Sequence, residues 1–159
     1  MTSELHSVRL LALPVPLWQQ SQEHSDELIR EFMLIASDEG AKAHDVPARL
    51  LALVEQLTAN YGAISEENEQ RLAGAAAAGE DSIDLVYEVP RELEGAVAHL
   101  GQMLDEADVF CRHGKHLLTL ATPEPQVEFR RWFLDEFTRQ LSGESPTPWP
   151  VWSAERRPS

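Results

Sequence analysis

Residues Ile83–Val89 read IDLVYEV, and this heptapeptide decides how the rest of the chain is parsed. Ile83, Leu85, Tyr87 and Val89 fall on one side of an extended backbone, and Asp84, Val86 and Glu88 fall on the other. Period-two alternation of this kind predicts a half-buried strand. Pro90 ends it, because proline has no N–H for a ladder and suits the first turn of a helix. Two other apolar runs share the pattern: Val8–Leu13 (VRLLAL) before Pro14, and Leu117–Ala121 (LLTLA) before Pro123. Each gives way to a helix-like segment. The pattern therefore predicts three strands, each handing over to a helix. Short apolar runs do not by themselves separate strand from buried helix, so an all-α bundle is the alternative.

The helices follow from 3.6-residue spacing. The first is predicted over 17–38, with Trp18, Leu28, Phe32 and Ile35 on its core stripe. Its polar first half, QQSQEHSDE, leaves Ser25 as a second possible N-cap. The second runs from Pro47 to Tyr61, with Gly62 as its stop. The third starts after Ser65 as N-cap and stops at Gly79. The fourth spans 91–112, with Leu93, Val97, Leu100, Leu104, Ala107 and Cys111 on one stripe. The fifth spans 124–141, with Phe129, Trp132, Phe133, Phe137 and Leu141 inward and Asp135 paired outward with Arg131 and Arg139. The expected fold class is α+β: a helix-rich single domain over 1–145, about five helices on a small sheet of about three strands, in the order β-α-α-α-β-α-β-α. Residues 146–159 form a proline- and tryptophan-rich tail. Its alternating Pro146, Pro148 and Pro150 favour an extended or polyproline conformation. Trp149 and Trp152 are expected to fold back over the core rather than stay solvated, and otherwise to anchor a partner.

The charge is lopsided. Among 159 residues, 27 acids face 13 Lys and Arg, a net charge of −14. Such a chain is repelled by nucleic-acid phosphates and anionic membranes, so direct binding to either is not expected. The acids concentrate between Ser65 and Asp108. That stretch reads mainly as a solvated face, and in a sharper reading as a docking surface for a basic partner. The single Cys111 permits no intramolecular disulfide and suits a reducing compartment. The N-terminus lacks a basic leader, and Leu10–Trp18 is too short and too proline-rich to span a membrane. A cytoplasmic location is expected.

Little chemistry is written in the motifs. The glycines are too dispersed for a phosphate loop or a dinucleotide fingerprint, so no nucleotide cofactor is expected. Cys111, His113 and His116, with Asp105 and Asp108 upstream, are the best metal candidates. Against them, Cys111 lies on the apolar stripe, and the histidines suit a helix C-terminus. A structural cysteine with capping histidines is the favoured reading, and no metal is expected. The same C-terminal position disfavours a thiolate, so Cys111 is not expected to be a nucleophile. Asp105, Glu106 and Asp108 read as exposed, with Arg112 pairing Asp108 at i,i+4.

Taken together, LLALPVPLWQQSQEHSDELIREFMLIA, VPARLLALVEQL, YEVP, MLDEADVFCRHGKHLLTLATPEP and FRRWFLDEFTRQLSGESPTPW resemble a family of small, largely uncharacterised actinobacterial regulatory proteins. The resemblance covers about Leu10 to Trp149. That family is associated with partner-switching modules of anti-sigma-factor kinases, STAS-type antagonists and PP2C-type phosphatases. The resemblance implies a signalling role and carries over no catalytic residue. The leading expectation is a non-enzymatic regulatory adaptor whose partner is such a kinase, antagonist or phosphatase. The alternative is a small-molecule sensor with an aromatic pocket between the sheet and the last long helix, lined by Phe129, Trp132 and Phe133. An enzyme relying on Asp105, Asp108, Cys111 and His113 is the least favoured reading.

Overall fold

The computed structural model describes residues 5–37, 46–113 and 122–156. Their order is β1 (Leu5–Pro14), α1 (Val15–Ala36), α2 (Val46–Ala77), β2 (Ser82–Pro90), α3 (Leu93–His113), α4 (Glu124–Leu141) and α5 (Trp149–Arg156). The class is α+β and helix-rich. Among the described residues the sheet has two strands, where the pattern predicts three; the run at 117–121 lies outside the described residues.

β1 and β2 pair antiparallel, with Val8 opposite Tyr87, Leu10 opposite Leu85 and Leu13 opposite Ile83. Between Leu10 and Leu13, β1 carries one more residue than β2, a β-bulge. Ala12 sits there at φ 54°, and its N–H donates to Asp84 Oδ1 at 2.7 Å. The extra residue shifts the alternation of β1, so that Val8, Leu10, Leu13 and Val15 all enter the core. That explains why VRLLAL shows no clean period of two.

Side chains engage part of each free edge of this sheet. On the β1 side, the Arg9 N–H donates to Gln140 Oε1 and Gln140 Nε2 donates to the Arg9 carbonyl, each at 2.8 Å. On the β2 side, Asn68 Nδ2 donates to the Val86 carbonyl at 2.9 Å, and Arg71 Nη2 to that of Asp84 at 3.4 Å. Occupied edge groups discourage pairing with another strand.

Two expected helices are one. α2 runs unbroken through Gly62 and Ser65. Ser65 does not cap a new helix: its hydroxyl donates back to the Gly62 carbonyl at 3.1 Å, within the helix. The stop at Gly79 is real. Gly79 has φ +73°, and the Glu80 and Gly79 amides donate to the Ala75 and Ala76 carbonyls, a Schellman closure that needs the left-handed conformation. α1 begins at Val15, ten residues before the alternative Ser25 cap, with Pro16 in its first turn. The tail is also corrected: it contains α5, whose Trp152 is buried and whose Trp149 packs on the core.

The described apolar residues gather in two clusters. One lies under the sheet, joining β1 and β2 to the end of α2, the start of α3, α4 and α5. The other joins Leu28 and Phe32 of α1 to Leu50 and Leu53 of α2 and to Met103, Ala107 and Cys111 of α3. The long helices α2 and α3 run through both.

Candidate functional site: a two-chambered cavity between the clusters

Where the two clusters meet, the packing leaves two adjoining cavities. Trp18 of α1, Leu100 of α3 and Phe133 and Leu134 of α4 line both, and the exposed Gln22 stands at the rim of both. The inner chamber, about 330 Å³, reaches Leu57 and Tyr61 on α2 and Tyr87 and Val89 on β2. The second, about 280 Å³, lies between α1, α3 and α4, with Leu28, Leu104 and Phe129 in its wall. Helix spacing positions these walls. Trp18, Gln22, Ser25 and Leu28 recur at helical intervals along one face of α1. α4 comes close to α3 at Gly101, where a Cβ would lie 3.4 Å from Leu134 Cδ1.

The second chamber has a polar end. Asp108 is 4% exposed. Its Oδ1 accepts from the Thr122 hydroxyl at 2.6 Å and the Thr122 amide at 3.2 Å, and its Oδ2 accepts from Arg130 Nη2 at 2.9 Å. The same Arg130 nitrogen reaches Asp105 at 2.9 Å. Thr122 Oγ1 also lies 3.3 Å from His24 Nε2. This network ties α1, α3 and α4 together, and both oxygens of the buried carboxylate are engaged. Two residues of the chamber wall, Ser21 and Gln126, each carry a polar atom that is not engaged. Ser21 Oγ and Gln126 Oε1 are shielded from solvent and have no hydrogen-bond partner among the described residues. In the inner chamber, burial pushes the Tyr87 phenol far above its ordinary value, and the charge of Glu69 adds to the shift. Tyr87 therefore presents a neutral hydroxyl group at any physiological pH.

The aromatic residues expected to form a pocket divide. Phe129 and Phe133 line the cavity. Trp132 is fully buried elsewhere: its indole N–H donates to the Thr147 carbonyl at 2.8 Å, and its ring meets Trp149 edge-on at 5.6 Å. Trp149 stacks on Trp152 at 5.8 Å. These three tryptophans bind the tail to the core.

The polar candidates are likewise redistributed. Cys111 is buried beside Met103 and Ala107, and burial, with Asp108 nearby, pushes its thiol up to about 11. His113 is exposed on the last turn of α3, and His116 lies outside the described residues. Among the described residues no group of three or more His, Cys, Asp or Glu side chains is placed to hold a metal ion. Asp108 is buried and pairs with Arg130 across the helices, not with Arg112 along its own. Arg139 pairs with Glu136 and Glu144, not with Asp135.

Sequence reasoning did not single out Ser21, His24, Thr122, Gln126 or Glu136. A signal for the first two was present: polar residues occupy core-stripe positions between Trp18 and Leu28, where an ordinary amphipathic helix would be apolar. Thr122 and Gln126 carry no such mark, because their role depends on α1 and α3. No helix of the described residues is long and apolar enough to cross a membrane. No protein-family model matches the chain, and no curated protein or solved structure matches it either.

Proposed function

We propose that this chain is a non-enzymatic regulatory domain that senses a small apolar molecule. The observation carrying the reading is the pair of adjoining cavities, about 330 and 280 Å³, that share Trp18, Leu100, Phe133 and Leu134. Ligand sites are typically concave, mostly apolar and of about 300–1,000 Å³, with a few polar groups that orient the ligand. The cavity lies between the two halves of the core, so an occupant would touch α1, α2, α3 and α4 at once. Binding there would stiffen their mutual packing, which is how a ligand becomes a signal. The residues around it favour binding over catalysis. The Tyr87 hydroxyl stays neutral, both oxygens of Asp108 are hydrogen-bonded, and neither Asp108 nor Cys111 lines the cavity.

Displacement of the neutral fluorophore 1-aminoanthracene, together with native mass spectrometry, tests this. Saturable one-to-one uptake that is lost when Phe133 is replaced by Ala or Ser65 by Leu is the expected result. No uptake at any concentration up to the solubility limit would reject the reading.

A protein-binding adaptor role is the second reading, favoured by the exposed acids of α2 and β2: Glu66, Glu67, Glu69, Asp84 and Glu88. With the resemblance to partner-switching regulators, it points to an anti-sigma-type kinase, an antagonist or a phosphatase as partner, and to bacterial cytoplasmic signalling. Affinity purification followed by mass spectrometry tests it. Recovery of one of those three classes in a salt-sensitive complex supports it, and a preparation without any of them counts against it.

A further inference from the structure

We infer that the inner chamber takes a hydrophobic organic cation, a quaternary ammonium whose charge lies at the Glu69 end and whose apolar body lies among Trp18, Tyr61 and Phe133. The inference rests on the sensing reading above and names the chemical class of what is sensed.

The sign of the charge comes from Glu69. Among the described residues it is the one charged side chain in the lining of the inner chamber. Helix spacing puts it there: Tyr61, Ser65 and Glu69 follow one another at four-residue intervals along the face of α2 that lines the chamber. Glu69 is exposed, so its carboxylate is open to an incoming group rather than sealed in the wall. The Ser65 hydroxyl lies 3.3 Å from Glu69 Oε1 and steadies it on that face. Among the described residues Glu69 forms no ion pair that would cancel its charge. Its field reaches across the chamber to β2, where it adds to the upward shift of the Tyr87 phenol. The second chamber offers an anion nothing better. Its one guanidinium, Arg130, is shared by Asp105 and Asp108, so that trio carries a net negative charge.

The walls select the kind of cation. Five aromatic residues line the inner chamber, Trp18, Tyr61, Tyr87, Phe133 and Phe137, and they include both tyrosines of the chain. The rings of Tyr87, Phe133 and Phe137 pack against one another, with centroids 5.2, 5.5 and 6.2 Å apart, and form one wall. Trp18 comes from α1 and Tyr61 from α2. Both, like Phe133, are only half-buried, so ring surface stays accessible. Aromatic rings attract a cation through their electron-rich faces, and groups of such rings recognise quaternary ammonium ions. A quaternary ammonium has no N–H and spreads its charge over its methyl groups, so it gives up no hydrogen bond on entry. A primary ammonium brings three donors that need partners into a wall that is mostly apolar. A charge held at the exposed Glu69 also keeps contact with water, which avoids the full cost of burying an ion.

The test compares three ten-carbon chains, decyltrimethylammonium, decylammonium and decanesulfonate, as competitors of 1-aminoanthracene on the full chain at neutral pH, below the concentrations at which they form micelles. Decyltrimethylammonium should displace the probe about tenfold more tightly than decanesulfonate and several-fold more tightly than decylammonium, the scale of one exposed ion pair with one cation–π contact. Glu69→Gln should lower the ratio of cation to anion affinity several-fold, and added salt should lower it in the unmodified protein. Glu80→Gln removes the same charge from an exposed position beyond the end of α2 and outside the cavity lining, and should leave that ratio as it is. The inference is overturned if decyltrimethylammonium fails to displace the probe, or if either other chain binds as tightly. It is also overturned if the two substitutions lower the ratio equally, which would assign the preference to the net charge of the whole chain. In each of these cases probe uptake still supports the sensing reading. Absence of probe uptake by the unmodified protein overturns that reading and this inference together. The comparison of the three chains on the unmodified protein needs no variant to fold.

Discussion

Ala12 occupies the left-handed region at φ 54°, where an L-residue is disfavoured by roughly 1–2 kcal/mol. The bulge holds it there, and the hydrogen bond from its amide to Asp84 offsets part of that cost. Ala12→Gly should remove the steric penalty while adding chain entropy to the unfolded state, for a net gain of about 0.5 kcal/mol. Ala12→Val, with a branched Cβ in the same conformation, should lose more than about 1 kcal/mol. Urea midpoints at constant slope would check both, and a destabilised glycine variant would mean that the bulge is not under strain.

At the scale of the element, α4 joins the parts of the fold through one buried acid. Glu136 is wholly buried, with Oε1 accepting from the Thr147 amide at 2.7 Å and Gln140 Nε2 at 3.1 Å, and Oε2 accepting from Arg139. Through Gln140 it is coupled to the edge of β1, and through Thr147 to the segment leading into α5. Burial pushes the Glu136 carboxyl above its ordinary value, against the opposing pull of the Thr147 amide, Arg139 and Gln140. The folded chain thus holds this proton more tightly than the unfolded chain does. Its stabilising contribution is fully present below the ordinary glutamate value and is lost as pH rises through the raised folded value. Glu136→Gln keeps an acceptor for Thr147 without the buried charge. It should match or exceed the wild type at pH 7, with the difference shrinking as pH falls. Glu136→Ala leaves the Thr147 amide without its acceptor and takes one carboxylate from Arg139, which keeps Glu144, and should cost about 2 kcal/mol. Thermal unfolding of the three proteins between pH 4 and pH 8, on the order of the carboxylate range, would show a pH-independent difference if burial does not dominate.

At the scale of the whole molecule, the described residues form two apolar clusters threaded by α2 and α3, with the tail packed on one of them and a cavity left between them. Trp152 is 4% exposed within the sheet-side cluster. Trp152→Ala should therefore cost about 3–5 kcal/mol, measurable as a lowered denaturant midpoint. A loss below about 1 kcal/mol would mean that the tail is dispensable to the core. The cavity predicts the opposite behaviour. Ser65→Leu places a side chain into the inner chamber and gives up only a hydroxyl bonded within its own helix and to Glu69. It should stabilise the protein by about 1 kcal/mol while reducing ligand uptake, the trade-off typical of a functional cavity. Calorimetry paired with probe titration reads both, and a destabilised variant would show that the chamber is too small to accept the added carbons.

Local pattern alone determined much of this protein. The alternation of IDLVYEV located β2, the spacing of Phe129, Phe137 and Leu141 located α4 and its inward face, and Gly79 marked the end of α2. These features are legible because period and chain stops record how each segment meets a core, whatever that core contains. Only tertiary structure decided the rest. Gly62 and Ser65 carry stop and start preferences of about 1 kcal/mol each, and α2 overrides them because its two ends are anchored in different clusters. The burial of Asp108 and Glu136, the pairing of Gln140 with Arg9 across 131 residues and the unpartnered Ser21 and Gln126 depend on neighbours brought together by the fold. A cavity is a property of surfaces that meet, and no single segment of sequence contains both of its walls.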